Sequence, residues 1–407
     1  MLRLALLPVF ALALAGCSAR DPSGEGGTGS LTSGTGGAGS GGASSGGAGG
    51  VGGASSGGAG GSAGAGTAGA AGEGGMAPSA IAPDGANPGE EVAADGENTV
   101  VVGAGDDALF RVESSPGEHV HFWLAFEGSP AGVELSVERW TGDAIEELGV
   151  TDAGKGLRTL AIFDAGEPRT YWARVRSSAP SFNGTLTVTR TPFEDGATCS
   201  ADCDRLLQLP LPIDSATDGY ANAATTVFRY QFGRRDLVML LRYAAQRMAK
   251  KGYAPFVPED LSQWDGQTPG IDVGAPRHAS HKNGKDVDLS LYGTDGLAPW
   301  RSYCDTVNDG SGRECVPGTV EGFDGEANAT LYAGFLQSGR VTMSFLDQEL
   351  IGPVVSGAES AAPSDVPSEL VPLYGDGVHL MHWPNHDNHI HVRVSDGPAL
   401  APDTSPP

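Results

Sequence analysis

Apolar residues change their spacing along this chain, and each change marks a segment of a different kind. An unbroken apolar run from Leu4 to Leu14 opens the sequence. From about Ser18 to Ala86 apolar side chains larger than alanine almost vanish. Between about Pro88 and Pro192 they alternate with polar ones in short runs separated by Gly, Asp and Pro, including Ala108 to Val112, Val120 to Phe126, Val133 to Trp140, Arg158 to Phe163, Thr170 to Arg176 and Thr185 to Thr189. That period of two, punctuated by turns, predicts an antiparallel β-sandwich. After Cys203, Leu237, Val238, Leu240, Leu241, Ala244, Ala245 and Met248 follow helical spacing, with Gly252 as a stop. A second helix is predicted from Asn328 to Gln337, closed near Gly339 and followed by a strand through Val341, Met343 and Phe345. The fold class expected for residues 196–396 is α+β, a small antiparallel sheet with flanking helices.

The leading apolar run is too short for a permanent membrane span and reads as a secretion signal. It ends in Leu14-Ala15-Gly16-Cys17, which resembles a bacterial lipobox. The resemblance implies cleavage after residue 16, a lipid on Cys17 and a membrane contact made only through that lipid, with periplasmic or cell-surface, outer-membrane-anchored placement. Residues 18–87 are rich in Gly, Ser and Ala, and Gly41 to Gly50 recurs as Gly52 to Gly61. Such a composition buries too little apolar surface to offset its ordering entropy, so a disordered linker is expected, with a span of about 45 Å for roughly 60 residues. Gly42-Ala43-Ser44-Ser45-Gly46 matches a serine-hydrolase elbow in letters only, because neither the strand nor the helix that the elbow needs can form there. The sandwich over 88–192 resembles the jelly-roll accessory domains of secreted bacterial peptidases. A short disordered tail is expected over 397–407.

Charge narrows the choice of partner. Fifty acidic against 25 basic residues leave a formal charge of −25, with no basic cluster to neutralise a phosphate backbone, so nucleic acid is not expected as a partner. Cys199, Cys203, Cys304 and Cys315 follow Cys17, an even number in an exported chain, and the short-loop pairing Cys199 with Cys203 and Cys304 with Cys315 is preferred among three connectivities. His119 and His121 share a strand face without a third ligand at a telling spacing, and are read as polar residues on a solvated face.

The other seven of the nine histidines gather in two segments, His278 with His281, and His379, His382, His386, His389 with His391. In the first, alternation from Asp286 places Asp286, Asp288 and Ser290 on one face and Val287, Leu289 and Leu291 on the other. Asn283-Gly284 supplies a turn that folds His281 back over the polar face. In the second, His389, His391 and Arg393 oppose Ile390, Val392 and Val394. Together they offer the imidazole and carboxylate ligands that a tetrahedral zinc ion accepts, one ion per chain, with a position left open.

His278-Ala279-Ser280-His281-x-x-Gly284-x-Asp286-Val287-Asp288 and His386-Asp387-x-His389-Ile390-His391-Val392-Arg393 resemble the motifs of penicillin-insensitive murein endopeptidases. These belong to the group that also holds lysostaphin-type peptidases, D-alanyl-D-alanine peptidases and the hedgehog signalling domain. The likeness runs from Phe232 to Val394. It implies that His281, Asp288 and His391 hold zinc, that His389 is the catalytic histidine with His386 beside it, and that the substrate is the D-alanyl to meso-diaminopimelyl cross-link of peptidoglycan stem peptides. The loop from Trp264 to Arg277 departs from the pattern.

Asp286 and His278 are candidates for orienting the ligands from behind, because a ligating imidazole usually donates its second N–H to a carboxylate or carbonyl. Arg277 and Tyr220 are candidate substrate contacts; His379 and His382 lie outside the motif. Ser280 beside His281 would not use it as a base, since neighbours on an extended chain point apart. Two other functions use the same residues: a D,D-carboxypeptidase on the same metal site, and a non-catalytic zinc-containing cell-wall-binding lipoprotein.

Overall fold

A computed structural model describes residues 91–395, except 104–105, 128–131, 142–143, 152–156, 167 and 309. The expected signal with Cys17, the linker over 18–87 and the tail over 397–407 lie outside the described residues. The first half is a sandwich of β1 (Glu91–Val92), β2 (Gly96–Gly103), β3 (Asp107–Ser114), β4 (Glu118–Phe126), β5 (Val133–Trp140), β6 (Ile145–Val150), β7 (Arg158–Asp164), β8 (Arg169–Ser177) and β9 (Ser181–Pro192). One sheet has the order β1-β3-β8-β5-β6 and the other β2-β9-β4-β7. β1 pairs in parallel with β3, and successive strands alternate between the sheets in the manner of a jelly roll except β5 and β6, which pair within one sheet. Inward positions such as Val120, Phe122, Leu160 and Val175 close its core. All six alternating runs of the sequence are strands. β6 carries a weaker alternation, because as an edge strand it keeps little of its surface buried.

The second half contains β10 (Leu206–Gln208), α1 (Ser215–Asp218), β11 (Phe232–Arg234), α2 (Arg235–Lys250), β12 (Pro258–Glu259), β13 (Asp286–Ser290), β14 (Thr306–Asn308), β15 (Arg313–Cys315), α3 (Gly325–Leu336), β16 (Val341–Leu346), α4 (Gln348–Ser360), α5 (Val371–Tyr374), β17 (Met381–His382) and β18 (His389–Val394). Its main sheet runs β12-β13-β18-β16-β17; all pairs are antiparallel except β16 with β17. Val287, Leu289, Ile390 and Val392 face a core shared with Leu237 and Leu241 of α2 and Leu331 of α3. The helices end where the glycines predicted, Gly252 at φ 83 and Gly339 at φ 63. Helical spacing does not predict α4, because Gly352 and Pro353 interrupt it. It forms nonetheless, capped by the Asp347 side chain on Glu349 N, with Leu350, Val354 and Ala358 buried in one row.

The two halves are not separated by an exposed boundary near residue 193. Phe163 and Phe193 join the second core, and Leu211 joins the first, its N–H donating to the Ala161 carbonyl at 2.8 Å. Strand β4 is therefore covered on both sides, which overturns the expectation that His119 and His121 face solvent. Both are buried. His119 Nε2 meets the Gln208 carbonyl at 2.7 Å and His121 Nε2 the Thr159 hydroxyl at 2.6 Å. The His121 ring stands edge-on to Phe232, 5.7 Å between centroids, and Trp123 stands edge-on to Trp264 at 5.5 Å.

Candidate metal centre

Register brings the polar residues of two distant segments together. Asp288 on β13 lies directly across from His391 on β18, Ser290 from His389, and Asp286 from Arg393. His281 precedes β13 in a turn where His281, Asn283 and Gly284 all have left-handed backbone, at φ 55, 61 and 60. Glycine is needed at 284, since a Cβ there would lie 2.6 Å from the Arg234 nitrogen. Left-handed histidine costs about 1–2 kcal/mol. The conformation is held by His281 Nδ1, which meets the Leu261 carbonyl at 3.1 Å.

Three ligand atoms then converge. His281 Nε2 lies 3.1 Å from His391 Nδ1 and 3.3 Å from Asp288 Oδ1, and His391 Nδ1 lies 3.0 Å from Asp288 Oδ1. Zinc bonds of about 2.0–2.1 Å at the tetrahedral angle would separate such atoms by about 3.3 Å. The outer nitrogens decide where the protons sit. Because a carbonyl only accepts, His281 carries its hydrogen on Nδ1 and turns the Nε2 lone pair inward. His391 Nε2 meets the Asp286 carboxylate at 2.9 Å, so when the ring is neutral its Nδ1 lone pair also turns inward. In the metal-free protein a proton on His391 Nδ1 bridges to Asp288; a cation in its place would face two imidazole nitrogens and a carboxylate. His278 belongs to the same cluster: ligand atoms of His278, His281 and Asp288 lie within 4.8 Å of one another and could hold a metal ion. Its Nε2, however, is engaged by Asp260 at 2.7 Å, and its ring packs on His281 with centroids 4.1 Å apart.

Beside this cluster His389 Nε2 lies 3.7 Å from Asp288 Oδ1, and its Nδ1–H donates to the Asn388 side-chain oxygen at 2.7 Å. Trp300 stacks on its ring, 5.2 Å between centroids and 11° from parallel. His386 packs against the same ring, 4.7 Å between centroids, and its Nδ1–H donates to the Pro384 carbonyl at 2.8 Å. The loop carrying His386 is tied to the β14–β15 hairpin. Arg313 pairs with the buried Asp387 at 2.8 Å and donates its own N–H to Asn385 Oδ1, while the Cys304–Cys315 disulfide closes the hairpin. The second disulfide joins Cys199 and Cys203, so the short-loop pairing is the one present.

Burial and charge pull these groups apart in acidity. Burial lowers the His389 pKa to about 4 despite the Asp288 charge beside it, and burial together with the neighbouring histidines lowers His386 well below the usual imidazole range. Burial would also lower His391, but its hydrogen bonds to Asp286 and Asp288 raise it to about 10. Burial would raise Asp288, yet His281 and His389 hold its carboxyl well below the ordinary value.

The site thus gathers every histidine and carboxylate that the sequence reading named for it: His278, His281, Asp286, Asp288, His386, His389 and His391. His379 and His382 stay apart on Asp376 and Glu314. Tyr220 is fully buried, bonded to the Pro210 carbonyl and Arg242, and cannot meet a substrate. Asp260, Asn388 and Trp300 were not found from the sequence. Each is a single residue outside any periodic pattern, and only its neighbours in space mark it.

No family model and no curated protein matches the chain. Among solved structures it is similar to a pre-peptidase C-terminal domain of a collagenase from Bacillus anthracis, at 13% identity over 26% of this chain and 100% of that one, TM-score 0.21. It is similar also to a mitogen from Yersinia pseudotuberculosis, at 14% over 24% and 87%, TM-score 0.20. A third is PliG of Aeromonas hydrophila, a periplasmic inhibitor of g-type lysozyme, at 14% over 23% and 84%, TM-score 0.19. At these scores the likenesses carry no argument about activity.

Proposed function

We propose that this chain is a zinc-dependent peptidase that hydrolyses D-alanyl to meso-diaminopimelyl cross-links between peptidoglycan stem peptides, with His281, Asp288 and His391 as ligands. The observation that carries the proposal is the inward convergence of two imidazole nitrogens and one carboxylate oxygen, each 3.0–3.3 Å from the others, with both outer ring nitrogens committed to acceptors. Zinc there would supply Lewis acidity, polarising the scissile carbonyl and lowering the pKa of the attacking water. The protein's own part is proton movement at His389 Nε2. Burial keeps that nitrogen unprotonated at neutral pH, its Nδ1–H is tied to Asn388, and Trp300 fixes the ring plane. It can therefore accept the proton from the attacking water and return it to the leaving amine. His386 fills the space behind His389 and limits its rotation. The murein substrate rests on the motif resemblance. Lipid anchoring at Cys17 completes the reading, and the two disulfides suit an oxidising compartment.

The test is incubation of purified, zinc-loaded chain with cross-linked muropeptide dimers, followed by mass spectrometry. Dimers should become monomers, the conversion should stop with chelator, and His389→Ala should retain zinc while losing roughly 10²–10⁴-fold in rate. Release of free D-alanine from uncross-linked stems instead would make the chain a carboxypeptidase. Bound zinc with intact dimers and intact stems would leave only the wall-binding reading.

A further inference from the structure

Next to the cluster, one guanidinium has spare donors. Arg277 Nη1 donates to Asp260 Oδ1 at 3.2 Å, and the other oxygen of that buried carboxylate holds His278, whose ring packs on His281. The Arg277 side chain keeps 22% of its surface exposed while Asp260 keeps 5%. A guanidinium has five N–H donors in a planar fork, so one contact with Asp260 leaves others for a ligand. The loop fixes its place: Arg277 N–H donates to the Pro269 carbonyl at 2.8 Å, and Thr268 Oγ1 donates to the His278 carbonyl at 2.9 Å. Gly270, at φ 88, permits the turn, since a Cβ there would lie 2.1 Å from the Ala275 carbonyl oxygen. The Arg277 guanidinium also lies 5.7 Å from the centre of the Tyr230 ring. The neighbouring Arg229 is already engaged by Asp272 at 2.9 Å. On a chain of formal charge −25, a carboxylated ligand meets general repulsion, which a cation fixed beside the reacting centre offsets locally.

We propose that Arg277 is a specificity-determining residue that binds a substrate carboxylate close to the scissile amide; this rests on the peptidase reading above. Asp260 and the His278 ring link the guanidinium to His281 through successive contacts, so the guanidinium stands beside the cluster. The carboxylate recognised is therefore carried by the residues flanking the cleaved bond, not by the far end of the stem. Bidentate pairing with the fork favours a carboxylate over its neutral amide.

The experiment uses the zinc-loaded full chain with two probes, a cross-linked muropeptide dimer bearing free carboxylates and the same dimer with those carboxylates amidated. KM and kcat are measured on both, and Kd is measured by calorimetry for a stem tetrapeptide in both forms. The wild type should prefer the free-carboxylate form by about tenfold in KM and Kd. Arg277→Gln should abolish the preference with zinc content unchanged, and Arg277→Lys should restore part of it. Equal handling of both forms by the wild type overturns the proposal. So does an equal loss on both forms in Arg277→Gln, which would make Arg277 a support for Asp260. A retained preference in Kd without cleavage would sink the endopeptidase reading and leave this assignment standing; cleavage without any preference would do the reverse.

Discussion

Two His-x-His pairs lie on buried strands of this protein, His119 with His121 on β4 and His389 with His391 on β18. In sequence they look alike, two imidazoles on one side of a strand with apolar residues on the other. In space they differ by what faces them. The β4 pair meets a carbonyl, a hydroxyl and aromatic rings, and it belongs to no cluster of three metal-binding side chains among the described residues. The β18 pair meets Asp288 and Asp286, which its partner strand presents at the matching register, and His281 on the adjoining turn. The β4 pair packs between the halves of the molecule, whereas carboxylates across the ladder make the β18 pair part of the proposed metal site.

The sharpest way to break that contrast is to remove one ring from each pair. His391→Ala should abolish stoichiometric zinc binding, read by elemental analysis of dialysed protein, together with all muropeptide cleavage. His121→Ala should keep full zinc content and lose about 1–3 kcal/mol of unfolding free energy, because the Thr159 hydroxyl is left buried with one partner fewer. Zinc loss in the second variant, or its retention in the first, would dissolve the distinction.

A smaller effect is expected from the residue behind the ligand. Asp286→Asn keeps the shape but weakens the hold on the His391 Nε2–H, and zinc affinity should fall about 10–100-fold in a competition titration with a chromogenic chelator. An unchanged affinity would mean that Asp286 serves the strand and Arg393 alone, with which it also pairs at 3.2 Å.

The mildest effect is on pH. In chelated protein His391, raised from 6.5 to about 10, contributes stability that is complete below pH 6.5 and is lost as pH rises through 10. His389, lowered from 6.5 to about 4, contributes stability present above pH 6.5 and lost as pH falls through 4. These two groups together should place a maximum in urea-unfolding free energy near pH 6.5. Zinc takes the proton's place on His391, so the loaded protein should show no His391-linked decline between pH 7 and 9. Matching alkaline limbs with and without zinc would contradict the assignment of His391 as a ligand.

Much of the site could be read without coordinates because it is written in short-range patterns. Alternation over Asp286 to Leu291 and His389 to Val394 fixes which side chains share a face, and Asn283-Gly284 marks the reversal that returns His281 to them. Asp260 and Trp300 escaped because nothing periodic surrounds them. Asp260 is defined by Arg277 and His278, and Trp300 by His389, partners distant in sequence. The environment of His119 and His121 was misread for a related reason: alternation says which residues share a face and is silent about what covers it.

The sequence by itself therefore determined six strands of the sandwich, the two helices α2 and α3 and most of the histidines and carboxylates that meet, while the structure chose the short-loop disulfides among three pairings. The tertiary structure alone decided that the sandwich and the α+β half share a continuous buried boundary, that Asp288 stands opposite His391 across 103 residues of chain, and that Asp260 ties Arg277 to the cluster. The physical reason is range. Side-chain periodicity and turn chemistry act over a few residues, whereas register, burial of a second face and the pairing of single charges are set by contacts between segments that the chain brings together only when it folds.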